Sequence, residues 1–398
     1  MKTAELILIS ISGKDRPGVI ASLTEILGKY ETDILDIGQA DIHHNLSLGI
    51  LFRTTSDVSG EIMKELFFKA NELGTEIRYT PITNEEYGQW VEMQGKQRYI
   101  ITLLGRTITA KQISAVSDTI RLHDLNIDSI KRLTGRIPLN GVDAKTSKAC
   151  IQLSVRGFVP ADSTLPKDLM SISRELDVDI SLQEDNMYRR CRRLICFDMD
   201  STLIQTEVID ELAIRAGVGD QVKAITESAM RGEIDFKESF TERCALLKGL
   251  DVSVMKEIAE NLPITEGVDR LMEALKRTGY KIAILSGGFT YFGEHLKRKY
   301  NIDYVYANEL EIGPDNKLTG RYVGEIVDGK RKAELLRLLA QFENVNIAQT
   351  IAVGDGANDL PMLSTAGLGI AFHAKPKVKE NAGQSISTIG LDGVLYFL

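Results

Sequence analysis

Three polar positions close short apolar runs in the second half of the chain: Asp198 after Leu194 to Phe197, Ser286 after Ile282 to Leu285, and Asp355 just beyond Ile351 to Val353. In an open parallel sheet, ligands bind beyond the carboxyl ends of the strands, so these residues should share one edge. Two carboxylates, a hydroxyl beside Gly287 and Gly288, and Lys332 farther on form a poor set for redox chemistry and a suitable one for phosphoryl transfer. Asp198 and Asp355 would repel each other unless a hard divalent ion lay between them, and a site of few carboxylates that keeps waters suits Mg²⁺. A calcium loop beginning at Asp198 fits badly, because Leu203 stands at the required glycine and Ile209 at the bidentate glutamate.

The elements that must hold these residues are legible in the apolar pattern. After Arg193, short continuous apolar runs alternate with helical stretches, the grammar of a doubly wound α/β domain whose strands are buried on both faces. A further strand is expected at Tyr304-Val305-Tyr306, and Glu309 to Val327, turning at Gly313-Pro314-Asp315-Asn316, should form a hairpin beside the sheet. Between the first strand and a helix starting near Thr265 lie roughly sixty residues of helical patterning, about twice what a crossover needs, and these read as an inserted cap.

The first half follows a different plan, and follows it twice. Ile7, Ile9 and Ile11 alternate as in a half-buried strand, then Val19, Ile20, Leu23, Ile26 and Leu27 recur at helical spacing. A second copy opens at Tyr99-Ile100-Ile101-Thr102-Leu103, with Ile113, Val116 and Ile120 on its helix, and Tyr30 to Ile37 lines up with His123 to Ile130. Two ferredoxin-like βαββαβ modules are the simplest reading.

Composition narrows the function classes. At 398 residues the chain should hold two or three domains, and 43% hydrophobic with 26% charged residues is ordinary globular usage. A net charge of −8 speaks against a nucleic-acid partner, and Arg189-Arg190-Cys191-Arg192-Arg193 reads as a solvated domain junction. No run of 18 apolar residues suggests a membrane span, Glu5 interrupts any export signal, and the four cysteines lack C-x-x-C spacing; a reduced, cytoplasmic protein is expected. The five histidines, with His43-His44 in an expected strand, show no metal-ligand spacing.

With these motifs in order, the second half resembles the haloacid dehalogenase superfamily, and from about residue 192 onward it looks like its phosphoserine phosphatases. The resemblance implies a Rossmann-like parallel sheet with a helical cap. It makes Asp198 of Asp198-Met199-Asp200-Ser201-Thr202 the nucleophile and Asp200 the general acid and base, which touches the metal through its backbone carbonyl. By the same resemblance Ser286 and Gly287 hold phosphoryl oxygens, Lys332 neutralises their charge, Asp355 binds Mg²⁺ with Asp198, Asn358 contacts phosphate or metal-bound water, and Asp359 orients Lys332. Glu207 and Arg243 match the residues that grip the ammonium and carboxylate of phosphoserine, and Met230 and Phe236 those that close over it. Ser12-Gly13-Lys14-Asp15-Arg16-Pro17-Gly18-Val19 resembles the ligand loop of ACT domains, which implies serine or another amino acid near Asp15 and Gly18, or a homodimer. Gly105-Arg106-Thr107-Ile108-Thr109 in the second copy lacks that pattern. The expected domains are 1–87, 98–186 and 190–398, with the cap at about 205–264. Competing readings are a phosphatase or phosphotransferase acting on homoserine phosphate or phosphothreonine, and a non-enzymatic amino-acid sensor.

Overall fold

The computed structural model describes residues 3–136, 146–231 and 233–398, except the side chain of Met230. They form two compact units, 1–96 and 97–398.

In the first unit β1 (Ala4–Lys14), β2 (Asp33–Ile42), β3 (Asn45–Thr55) and β4 (Thr75–Ile82) make an antiparallel sheet in the order β2-β3-β1-β4. The helices Val19–Lys29 and Ser59–Glu72 send Val19, Leu23, Leu27, Ile62 and Leu66 into one core with Ile7, Ile9 and Ile11. The alternation of β1 and the helical spacing that follows it therefore serve a single interior. His43 and His44 do not extend a strand. Both have positive φ (54° and 61°) and form the two-residue turn between paired Ile42 and Asn45, where that backbone twist joins the strands most directly.

The second unit begins with the same topology again: β5 (Arg98–Gly105), β6 (Asn126–Arg132), β7 (Ala149–Arg156) and β8 (Asp179–Glu184) in the order β6-β7-β5-β8. A seven-stranded sheet follows, built from β9 (Leu194–Phe197), β10 (Lys281–Phe289), β11 (Tyr304–Ile312), β12 (Leu318–Val323), β13 (Thr350–Gly354), β14 (Leu368–Phe372) and β15 (Gln384–Ile386). Its order is β12-β11-β10-β9-β13-β14-β15, parallel throughout except that β12 runs against β11. Central β9 is entirely buried and pairs with β10 on one side and β13 on the other, so the chain reverses its winding direction across it. The crevice at that reversal is where such sheets bind ligands.

Helices Val208–Arg215, Gly219–Met230, Phe236–Leu246 and Ser253–Glu260 are inserted between β9 and β10. The next, Val268–Arg277, starts from Gly267 at φ 88°, where a Cβ would lie 2.3 Å from Asp392 Oδ1. The second βαββαβ module is fixed to the seven-stranded sheet. Buried Asp179 accepts hydrogen bonds from Ser387 N (2.8 Å), Thr388 N (3.0 Å) and Thr388 Oγ1 (2.6 Å), and the Gln384 amide closes on both backbone groups of Leu182. Arg106, in the strand-to-helix loop that corresponds to Ser12–Val19 of the first module, makes a two-pronged ion pair with Glu266 (3.0 and 2.8 Å). Among the described residues no helix is long and apolar enough to cross a membrane.

Candidate active site

The site starts with a tight loop at the carboxyl end of β9. The amides of Thr202, Leu203 and Ile204 all donate to Met199 O, and Ser201 takes a left-handed φ of 55°, a conformation costly for a residue with a Cβ. Asp198 and Asp200 are thereby held on the same loop with 5% and 7% of their surface exposed. Asp198 N donates to Val353 O, tying the loop to β13, while Asp198 Oδ1 accepts from Met199 N at 2.8 Å. Asp200 Oδ1 accepts from Val208 N (3.2 Å), the first residue of the first cap helix.

Three more elements converge here. Ser286 is fully buried in β10, and its Oγ accepts from Gly288 N at 2.9 Å. The helix Gly329–Phe342 starts with Asp328 accepting from Arg331 N and carries Lys332, which has no exposed surface. Lys332 Nζ lies 2.9 Å from Asp198 Oδ1 and 2.7 Å from Asp359 Oδ1. Asp359 Oδ2 accepts in turn from Gly356 N, so the loop after β13 clamps the lysine, and Thr202 Oγ1 donates to Asp355 Oδ1 at 3.2 Å. Sequence reasoning gave Thr202 no role; only the fold brings the two loops together.

Gly288 is required by the closeness of these loops. A Cβ there would lie 2.3 Å from Asp200 Oδ2 and 2.9 Å from Met199 Cε. Gly288→Ala must therefore push Asp200 away from its position, and an error of about 1 Å in such a group costs roughly 10²-fold. Turnover should fall by about that factor, with a smaller change in KM, in steady-state assays of phosphate release.

Electrostatics separate the two aspartates. Burial, then the charges of Glu207 and Asp198, raise the pKa of Asp200 well above the usual carboxylate range, which favours its protonated, donating form. Asp198 is pushed up to about 8 by burial and by Asp359, against the pull of Lys332. Asp355 is pushed up to about 7 by burial, Asp359 and Glu207. Burial opposes the charge on Lys332, but the two facing carboxylates prevail and raise its pKa. One lysine thus faces three carboxylates, Asp198, Asp355 and Asp359, whose oxygens come within 4.8 Å of one another. Asp359 already has both oxygens bound by the protein, whereas Asp198 and Asp355 each keep Oδ2 uncommitted among the described residues. The excess negative charge and the two unoccupied oxygens suit a hard divalent cation.

The cap supplies the rest. Phe236 begins the helix Phe236–Leu246, stacks on Phe240, and lies over Gly287, where its Cζ would be 3.3 Å from a Cβ. Glu207 accepts from Ser201 Oγ at 2.8 Å; the crowding of protein around it raises its pKa despite that bond. Arg243 is half-buried, bonded through Nε to Ser239 O, and feels the charges of Glu207, Asp210 and Asp200. Among the described residues it makes no ion pair, so an acid and a guanidinium both stand near the site without neutralising each other. Asp210, one turn beyond Glu207, was not singled out from the sequence, although that spacing on a helix would have marked it. Asn358 rests its Oδ1 over Gly356 and its backbone against Gly329. Met230 ends its helix, and its side chain lies outside the described residues. Asp15 and Gly18 belong to the first unit: Gly18 has φ 96° with open space beside its Cα, and Asp15 N donates to His44 O.

Residues 192–367 match the haloacid dehalogenase-like hydrolase family, and residues 5–80 and 98–183 each match an ACT domain family. The phosphoserine phosphatase of Streptomyces coelicolor is 38% identical over 393 residues, spanning 98% of this chain and 92% of that one. The chain belongs to the phosphoserine phosphatase family of haloacid dehalogenase-like hydrolases. Phosphoserine phosphatase SerB2 of Mycobacterium tuberculosis is 39% identical over 396 residues, again 98% of this chain and 92% of the relative. Two solved structures share the architecture. A haloacid dehalogenase family hydrolase of Salmonella enterica serovar Typhi superposes with TM-score 0.64 at 31% identity, covering 75% of this chain and 98% of its own. A probable phosphoserine phosphatase of Vibrio cholerae gives 0.58 at 35%, covering 75% and 86%. In this family member the cluster of Asp198, Asp200, Ser286, Lys332 and Asp355 therefore sits on a haloacid dehalogenase-type α/β domain preceded by two ACT modules.

Proposed function

We propose that this phosphatase hydrolyses O-phosphoserine to serine and phosphate in serine biosynthesis, through a phosphoaspartyl intermediate on Asp198. The observation that carries the reading is the pairing of a buried Asp198 held against Lys332 with a second buried aspartate, Asp200, biased toward its protonated form. Asp198 attacks phosphorus as the bond to the serine oxygen breaks, and Asp200 gives its proton to that oxygen. In the second half Asp200 takes a proton from water as the water oxygen attacks phosphorus and the bond to Asp198 breaks. Ser286, Gly287 and Lys332 balance the charge of the transferring group, with Asn358 beside them. Asp198 and Asp355, with the backbone carbonyl of Asp200, would hold Mg²⁺, which supplies electrophilic stabilisation of the phosphoryl oxygens. The charge imbalance of the carboxylate cluster supports that assignment.

For substrate choice, Glu207 would meet the ammonium and Arg243 the carboxylate of phosphoserine, while Phe236 and Met230 cover it. A panel of phosphoserine, phosphothreonine, homoserine phosphate and p-nitrophenyl phosphate tests this. Phosphoserine should have the highest kcat/KM, and Arg243→Ala should lower it by about 10²-fold for phosphoserine, as expected for a lost charge-assisted pair, while leaving p-nitrophenyl phosphate within a few-fold. Equal turnover of all four compounds would reject the specificity. The ACT modules fit a cytoplasmic homodimer or an amino-acid sensor, with serine or another amino acid near Asp15 and Gly18; we read the chain as domains 1–87, 98–186 and 190–398, the last capped at about 205–264.

A further inference from the structure

Asn308 is an unusual residue for a strand. It lies in β11, is 2% exposed, and uses both ends of its amide. Its Nδ2 donates to Gly287 O at 2.8 Å, and its Oδ1 accepts from Val327 N, also at 2.8 Å. Gly287 lies near the carboxyl end of β10, beside Ser286, and Val327 immediately precedes Asp328, the cap of the helix that carries Lys332. One side chain therefore bridges the two segments that must flank the same phosphoryl group, although 40 residues separate them in sequence. The backbone of Asn308 is itself held, since Thr290 Oγ1 donates to Ala307 O (3.1 Å) and Asn308 O (3.2 Å). On the far side Gly329 packs so closely on Asn358 that a Cβ would lie 2.4 Å from Asn358 O, so the start of the lysine helix is wedged between Asn308 and the loop after β13.

We infer that Asn308 is a positioning residue for phosphoryl transfer, fixing the distance between the carboxyl end of β10 at Gly287 and Lys332. An apolar strand residue could fill the space but could not satisfy both the Gly287 carbonyl and the Val327 amide. The inference rests on the phosphatase reading, so the test uses two measurements that separate the two.

Asn308→Asp keeps size and the acceptor for Val327 N but loses the donor to Gly287 O; Asn308→Ala loses both. Both should lower kcat by about 10–10²-fold with KM changed by less than about threefold, the signature of displaced transition-state donors. Orthovanadate, which mimics the five-coordinate phosphoryl group, should bind more weakly by a comparable factor, while inorganic phosphate binding should change little. Thr290→Val, which leaves the amide in place and loosens only its backbone, should give a smaller loss in the same direction and covers the case in which either Asn308 variant fails to fold. Vanadate affinity and kcat within twofold of the parent in the folded variants would overturn the inference, as would losses in which phosphate and vanadate weaken equally. Assays on p-nitrophenyl phosphate as well as phosphoserine keep this outcome apart from a failure of the substrate assignment, which would appear in the parent protein.

Discussion

Asp198→Asn is expected to release phosphate from phosphoserine at least about 10⁴-fold more slowly than the parent, because a carboxamide cannot attack phosphorus and the remaining groups only position the substrate. The same substitution should stabilise the metal-free protein toward pH 8, where Asp198 would otherwise become charged, since Lys332 keeps Asp359 as its partner. Asp198 and Asp355 have folded-state pKa values pushed up to about 8 and about 7, above the ordinary carboxylate value near 4. The folded state thus holds protons that the unfolded chain releases, so the contribution of these groups is fully favourable below about pH 4 and is lost as pH rises through 7 to 8. Thermal melts without divalent metal should show stability falling across that interval, with Asp198→Asn flattening the fall. Added Mg²⁺ should restore the neutral-pH melting temperature of the parent and do much less for the variant. A metal-free melting curve independent of pH from 4 to 8 would remove the basis for a cation between these carboxylates. Residual turnover within tenfold of the parent would remove Asp198 as nucleophile.

The second large effect falls on Lys332. Its ammonium is wholly buried and, among the described residues, forms its ion pairs with two buried carboxylates, Asp198 and Asp359. Lys332→Met fits the space but strands both acids, and breaking a buried pair from one side costs about 3–5 kcal/mol. Denaturant melts at pH 8 should register that loss, and phosphate release should drop by about 10³-fold as charge stabilisation disappears. Lowering the pH should recover part of the stability, since protonation removes the stranded charges, but none of the activity. Adding Asp198→Asn to Lys332→Met should recover stability as well, by less than the full loss because Asp359 remains. A purely additive double variant would show that Lys332 and Asp198 are not the coupled pair their 2.9 Å separation implies.

Strongly patterned elements were legible in the chain itself. The apolar runs ending at Asp198, Ser286 and Asp355 became β9, β10 and β13 because a strand buried on both faces tolerates little else, and their polar termini had to meet at one sheet edge. The first-half repeat was equally readable, since alternation and helical spacing each answer to a single buried face. Local backbone chemistry misled at His43-His44: a β propensity judged from neighbours missed two positive φ angles forming a turn. Strand β15 is only three residues long and carried no recognisable pattern.

What the sequence alone determined, then, was the kind of chemistry and the fold that carries it. Asp198, Ser286 and Asp355 stand at the ends of strands whose apolar runs leave few alternatives, whereas the roles of Asp200 and Lys332 are legible only through the resemblance to the family. Tertiary structure decided the relations between residues far apart in the chain. Lys332 meets Asp198, Thr202 reaches Asp355, Asp200 crowds Gly288, and Asn308 joins the end of β10 to the segment before the lysine helix. Each depends on distances of a few ångströms between segments separated by many residues. Such distances follow from packing the whole domain, and no local pattern encodes them.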